Sequence, residues 1–169
     1  RHTDAGTGQQ RTAAAAAGKD LYTEKPLASG IADGRAICRA VEDHKRVLQC
    51  GTWRRSGMKT RLACEWVRNG HIGDLKVIEV GVPGKFRPSG GFDGTEAAQP
   101  VPAGIDYPMW LGPAPEAPYH QARLHYNFRW ITDYAPGYIT DWGAHFLDVA
   151  QWGAGMDDTS PTEISATGV

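Results

Sequence analysis

Two hydrophobic periods alternate along the first half of the chain. The run TAAAAAGK, residues 12–19, has high helix propensity throughout and predicts a helix closed by Gly18. DLYTEKP, residues 20–26, predicts a short strand. In SGIADGRAICRAVEDHK, residues 29–45, Ile37, Cys38 and Val41 share one face at helical spacing, with Ser29 as the expected N-cap. RVLQCGT, residues 46–52, predicts a second strand ending at Gly51. GMKTRLACEWVRNGHIG, residues 57–73, predicts another helix, with Met58, Leu62 and Trp66 four apart and Asn69-Gly70 as its stop. DLKVIEVGV, residues 74–82, predicts a third strand whose imperfect alternation implies cover on both faces.

Strands alternating with helices in this order imply βαβ units and a largely parallel sheet. The pattern then breaks. Residues 84–120 hold seven of the 11 prolines and six glycines, which predicts a long functional or irregular loop. Trp110 and Leu111 within it favour a loop packed against something. NFRWITDY, residues 127–134, reads as a strand or extended segment. GYITDWGAHFLDVAQWGAGMD, residues 137–157, reads as a helix stopped by Gly153 and Gly155, and TEISATGV, residues 162–169, as the start of another strand. Residues 1–12 are polar and patternless, and are expected to be disordered or the edge of an excised piece. No internal repeat is visible.

Composition adds bounds rather than identity. The chain has 169 residues, 41% apolar and 22% charged, an ordinary globular balance. Its formal net charge of −1 gives no global field for nucleic acid or an anionic membrane, so neither partner is expected. No apolar run approaches the ~20 residues that span a bilayer, and the N-terminus lacks the apolar core of a signal peptide. A cytoplasmic location is therefore expected, with Cys38, Cys50 and Cys64 as buried, reduced thiols.

Candidate chemistry falls in three places. In the last helix Asp141 and His145 are four apart, and Asp148 follows three later, all on one face. A carboxylate one turn from an imidazole can orient it as an acid/base pair, or the trio could contribute to a metal site with ligands from elsewhere; a merely polar helix face explains the same spacing. Lys25 follows a predicted strand, at the sheet edge where parallel α/β proteins bind ligands, with Pro26 fixing the backbone after it. Arg54 and Arg55 follow the second strand and could hold a phosphate or carboxylate bidentately, or form a solvated loop pair. His120, His125, Tyr119 and Tyr126 cluster around the long loop; they suit a sugar-like ligand, though loop packing explains them equally. There is no GxGxxG, no GxxxxGK[ST] and no GxSxG.

GKDLYTEKPLA, VLQCGTWRRS, VRNGHIGDLKVIEVG, DYPMWLGPAPEAPY and NFRW…DY…DWGAHFLDVAQWGAGMD, in that order, resemble the Gfo/Idh/MocA oxidoreductases, from about Ala13 to Val169. The resemblance implies α/β architecture: partial Rossmann-like βα units over residues 13–52, running into a truncated α/β substrate domain with an open sheet over 53–169. It implies hydride transfer between NAD or NADP and a carbinol carbon of a sugar- or polyol-like substrate. By the same resemblance Glu24, Lys25 and Pro26 match the Glu-Lys-Pro motif near the cofactor, and Lys25, Asp141 and His145 match the catalytic set. Arg54, Arg55, His120, His125, Tyr126 and Asp148 are the substrate-binding candidates, and no metal is assigned. Because the GxGxxG half is not in this chain, weak dinucleotide binding is expected. So is self-association, most simply as a dimer. The alternative reading is a remnant without redox activity, either inert or a glycosidase-like, metal-assisted hydrolase using Asp141 and His145.

Overall fold

The computed structural model describes residues 7–82 and 96–167, which group into two compact units. One comprises the described residues of Arg1–Gly51 and Pro83–Ala144, the other those of Thr52–Val82 and His145–Val169.

The first unit opens with helix α1, Thr7–Ala16, which begins inside the stretch the sequence leaves patternless; residues 1–6 lie outside the described residues. Its alanine run ends at Gly18, whose φ of 75° is the left-handed turn that glycine takes without a Cβ clash. Strand β1, Leu21–Thr23, helix α2, Ile31–Asp43, and strand β2, Leu48–Cys50, follow. The strands pair in parallel with Leu21 opposite Leu48 and Thr23 opposite Cys50, so the expected βαβ unit is present as an open two-stranded sheet. Helix α2 buries Ile37, as expected, together with Ala40; Val41 is half-buried, and Cys38 is exposed. Gly30 is the N-cap in place of Ser29, in extended backbone and with no side-chain cap bond.

The remainder of this unit is held by aromatic packing. Tyr107, Leu111, Tyr119, Leu124 and Tyr134 form its buried cluster. Helix α4, Tyr107–Leu111, sits within the proline-rich stretch and was not expected there. Asp106 caps it by accepting from the Met109 N–H at 3.0 Å, and proline stands in its first turn where the missing N–H costs nothing. Tyr107 stacks on Trp110 and meets Tyr119 edge-on at 5.2 Å, and Trp110 meets Tyr134 edge-on at 5.1 Å. Residues 127–134 are not a strand: Asn127–Trp130 is a 3₁₀ turn, followed by the Tyr134 N–H donating to the Ile131 carbonyl. The unit closes on a π-helical turn, Ile139–Gly143.

In the second unit a 3₁₀ turn, Trp53–Ser56, leads into helix α3, Met58–Arg68, which lies with helix α5, Ala144–Gly153. Helix α3 packs through a small residue. Cys64 is buried, its thiol lies 3.9 Å from the Val149 carbonyl, and a Cβ on Gly153 would stand 3.7 Å from its sulfur. The Met58, Leu62 and Trp66 stripe is exposed rather than buried. Of the three free cysteines only Cys64 is buried, correcting the expectation for Cys38 and Cys50. Residues 74–82 form no strand. Strand propensity is realised only where a neighbour accepts the ladder hydrogen bonds, and none lies beside this segment among the described residues. Residues 162–167 likewise form no strand, and 168–169 lie outside the described residues, as do 83–95 of the long loop. Among the described residues no helix is long and apolar enough to cross a membrane.

Candidate functional site

The loop after β1 carries Glu24, Lys25 and Pro26 beyond the C-terminal end of the sheet, where the local geometry of a parallel pair leaves backbone ends open. The Lys25–Pro26 peptide bond is cis. Arg11, from α1, ties this loop down: its guanidinium donates to the carbonyls of Glu24 and Pro26, each at 3.3 Å, and to that of Leu27. Nothing in the local pattern around Arg11 marks it for this role.

With its backbone so held, Lys25 reaches Asp141. The Lys25 ammonium donates to the Asp141 backbone carbonyl at 2.7 Å and to its carboxylate Oδ1. Arg129 Nε stands 3.2 Å from the other carboxylate oxygen, Oδ2. All three side chains are mostly buried. Two cations on one carboxylate leave a net positive charge in a low-dielectric setting, where it acts more strongly than in water. Asp141 belongs to the π-helical turn, a deviation from α-geometry that frequently accompanies functional sites.

Arg129 also borders a cavity of about 580 Å³, the size of a small-molecule site. Gly104, Asp106, Trp110, His125 and Tyr126 are among its lining residues. The Arg129 guanidinium lies 4.5 Å from the Tyr126 ring centroid and 4.9 Å from that of Phe128, and donates to the Tyr126 carbonyl at 3.2 Å. His125 is held with φ at 54°, an uncommon conformation for a residue with a Cβ. His120 is used structurally, since its Nδ1 accepts from the Ala122 N–H at 3.1 Å and so caps a 3₁₀ turn. Thus Lys25, Asp141, His125 and Tyr126 join Arg129, which the sequence reading passed over.

The other sequence candidates lie in the second unit. Arg55 does hold carboxylates bidentately, but they are the chain's own. It donates to Asp148 from Nε and Nη2 at 2.8–3.0 Å and to Asp157 from Nη1 and Nη2 at 2.8–3.3 Å. These bonds raise the pKa of Arg55 further and lower that of Asp157. Arg54 lies between two rings, 4.3 Å from the Phe146 centroid and 5.1 Å from that of Trp53. His145 meets Trp53 edge-on at 5.6 Å.

Whether a nicotinamide dinucleotide fits is decided at the strand ends. A Cβ on Gly51, just beyond β2, would lie 3.0 Å from Tyr22 Oη and 3.1 Å from Glu24 Oε2. The space is taken by the chain's own side chains, and no GxGxxG turn is present to cradle a pyrophosphate. Among the described residues the strand ends do not offer the glycine-rich turn that a dinucleotide pyrophosphate needs.

Residues 67–168, about three-fifths of the chain, match the C-terminal alpha/beta domain of the Gfo/Idh/MocA oxidoreductase family. The chain belongs to that family. The matched stretch of this Gfo/Idh/MocA protein contains Arg129, Asp141, His145 and the cavity, while Lys25, Arg54 and Arg55 lie before it. No individual curated protein matches the chain. The family works with NAD(P), and among the described residues no group of His, Cys, Asp and Glu could hold a metal ion.

Proposed function

We propose that this family member serves an NAD(P)-linked oxidation of a sugar- or polyol-like alcohol by binding the substrate and handling its hydroxyl proton. The single observation that carries the reading is Arg129, which borders the cavity with one side and pairs with Asp141 on the other. Aromatic faces from Trp110, Tyr126 and Phe128, with polar groups from Asp106, His125 and Arg129, suit a small ring with many hydroxyls. Such a ligand offers C–H faces to the rings and O–H groups to the polar atoms. As a carbinol carbon is oxidised its oxygen loses a proton and gains negative charge. The net-positive Lys25–Asp141–Arg129 cluster favours that charge.

In this reading Lys25 orients the substrate oxygen and Asp141 handles the proton, as the family likeness implies. The β1–α2–β2 unit is the counterpart of the family's Rossmann-like βα units. The residues present account for substrate binding and proton handling only.

Ligand-observed NMR of the chain with a panel of polyols and cyclic sugars tests this. Saturation transfer to at least one cyclic polyol at about 1 mM, a modest affinity of roughly −4 kcal/mol, is expected. NADH and NADPH, titrated by nicotinamide fluorescence, are expected to bind more weakly. Absence of transfer to every member of the panel overturns the reading.

A further inference from the structure

The turn WRRS, residues 53–56, carries two adjacent arginines with opposite fates. Arg55 spends its donors on Asp148 and Asp157. Arg54 makes no hydrogen bond and no ion pair among the described residues. Its guanidinium is instead held against rings, 4.3 Å from the Phe146 centroid and 5.1 Å from that of Trp53. Of its nitrogens only Nε is buried, and that Nε has no acceptor. Nη1 and Nη2, at the tip, are open and carry the remaining donors.

A cation partly withdrawn from water and left without a counter-ion is costly, and it attracts an anion more strongly than it would in bulk solvent. The neighbouring acids do not supply that counter-charge. Asp148 and Asp157 are already bonded by Arg55, and Arg68 adds a longer-range attraction to Asp157. The two rings also fix the guanidinium, so little side-chain freedom remains to be lost on binding. Beside it Trp53 is 56% exposed, an uncommon setting for so large a ring. An open guanidinium edge takes two oxygens of a carboxylate or phosphate side by side, and an open indole takes a flat apolar body.

We propose that Arg54 and Trp53 form a binding site for a small organic oxyanion, a carboxylate or a phosphate monoester. The anion sits on the Nη1–Nη2 edge of Arg54 and the body of the molecule lies against the Trp53 ring. The site belongs to the second unit, and it does not depend on what fills the cavity beside Arg129.

Phosphorus NMR of inorganic phosphate with the full chain, at fixed ionic strength, tests it. Saturable line broadening with a Kd of about 1–10 mM is expected. Phenyl phosphate or benzoate is expected to displace the phosphate with an affinity about fivefold higher, through the ring contact. Whichever of the two competes better names the oxyanion. Arg54→Lys keeps the stem and the charge but loses the fork, and is expected to weaken phosphate binding about tenfold. Arg54→Gln is expected to abolish it, whereas Arg61→Gln, at an exposed arginine of the same unit, leaves it unchanged. Trp53→Leu is expected to keep phosphate binding and lose the advantage of the phenyl compounds. A wild type with no saturable broadening overturns the proposal. So does Arg54→Lys binding as tightly as the wild type, or a phenyl preference that persists in Trp53→Leu.

Discussion

Replacing Arg55 with alanine tests whether the second unit is held by a charge hub. In the native chain this guanidinium spends its donors on two carboxylates and lies 5.4 Å from the Trp152 ring centroid. The two acids are not equivalent. The side chain of Asp148 is 17% exposed and that of Asp157 38%, against 33% for Arg55. Asp148 thus loses most of its water on folding and relies on Arg55 to replace it, whereas Asp157 stays hydrated. Hydrogen bonds to charged groups are worth ~1.5–3 kcal/mol when buried, and exposed pairs ~0–1 kcal/mol. A one-third exposed arginine discounts the first range to its lower end, so Arg55→Ala is expected to cost about 1.5 kcal/mol. For a chain of this size that corresponds to a Tm lower by ~3–6 °C. Arg55→Lys keeps the charge but loses the fork and is expected to recover only part of the loss. Thermal unfolding followed by tryptophan fluorescence reads both, alongside Asp148→Asn and Asp157→Asn. An unchanged Tm for Arg55→Ala, or equal losses from the two aspartate variants, would refute the reasoning.

Other consequences are simpler to check. Burial raises the Cys64 thiol above its ordinary pKa, while Cys38 is exposed, so a brief alkylation at neutral pH should label Cys38 fully and Cys64 little, as peptide mass spectrometry would show. Burial, with neighbouring Tyr134 adding to it, pushes the Tyr107 phenol up to about 12, so the folded chain holds this proton after the unfolded chain has released it. Its contribution to stability is complete below about pH 10 and is lost as pH rises toward 12, which denaturant titrations at alkaline pH should show as a falling midpoint. Arg11→Ala should free the Glu24–Leu27 carbonyls and speed amide exchange in residues 24–28 while leaving α2 unchanged; equal exchange rates would remove Arg11 as the positioning residue for Lys25.

What was legible in the sequence is what short-range physics decides. The β1–α2–β2 unit and α3 follow from period and helix stops, and Lys25 follows from its place after a strand. Asp106 and Pro108 were a readable start signal for α4, obscured by the surrounding prolines. Two features needed tertiary information. The apolar stripe of α3 had the right period but faces outward, and Cys64 is the residue the helix buries instead. Residues 74–82 have the composition of a strand and, among the described residues, no neighbour to pair with. Arg129 was invisible because its partner, Asp141, lies 12 positions on and no local motif joins them. The spacing of Asp141 and His145 was plain, yet it gave no hint that Asp141 would be engaged by Lys25 from 116 positions away.

The cavity beside Arg129 is proposed to bind a hydroxyl-rich substrate through the cluster that Arg129 shares with Asp141. Isothermal titration calorimetry of the wild type and Arg129→Ala with the best cyclic polyol from the NMR panel tests this most directly. Losing a charged hydrogen-bond donor worth ~1.5–3 kcal/mol should weaken binding by about 10- to 100-fold, with the unfolding transition of the Tyr107–Tyr134 core retained. Equal affinity in a folded Arg129→Ala variant would contradict it.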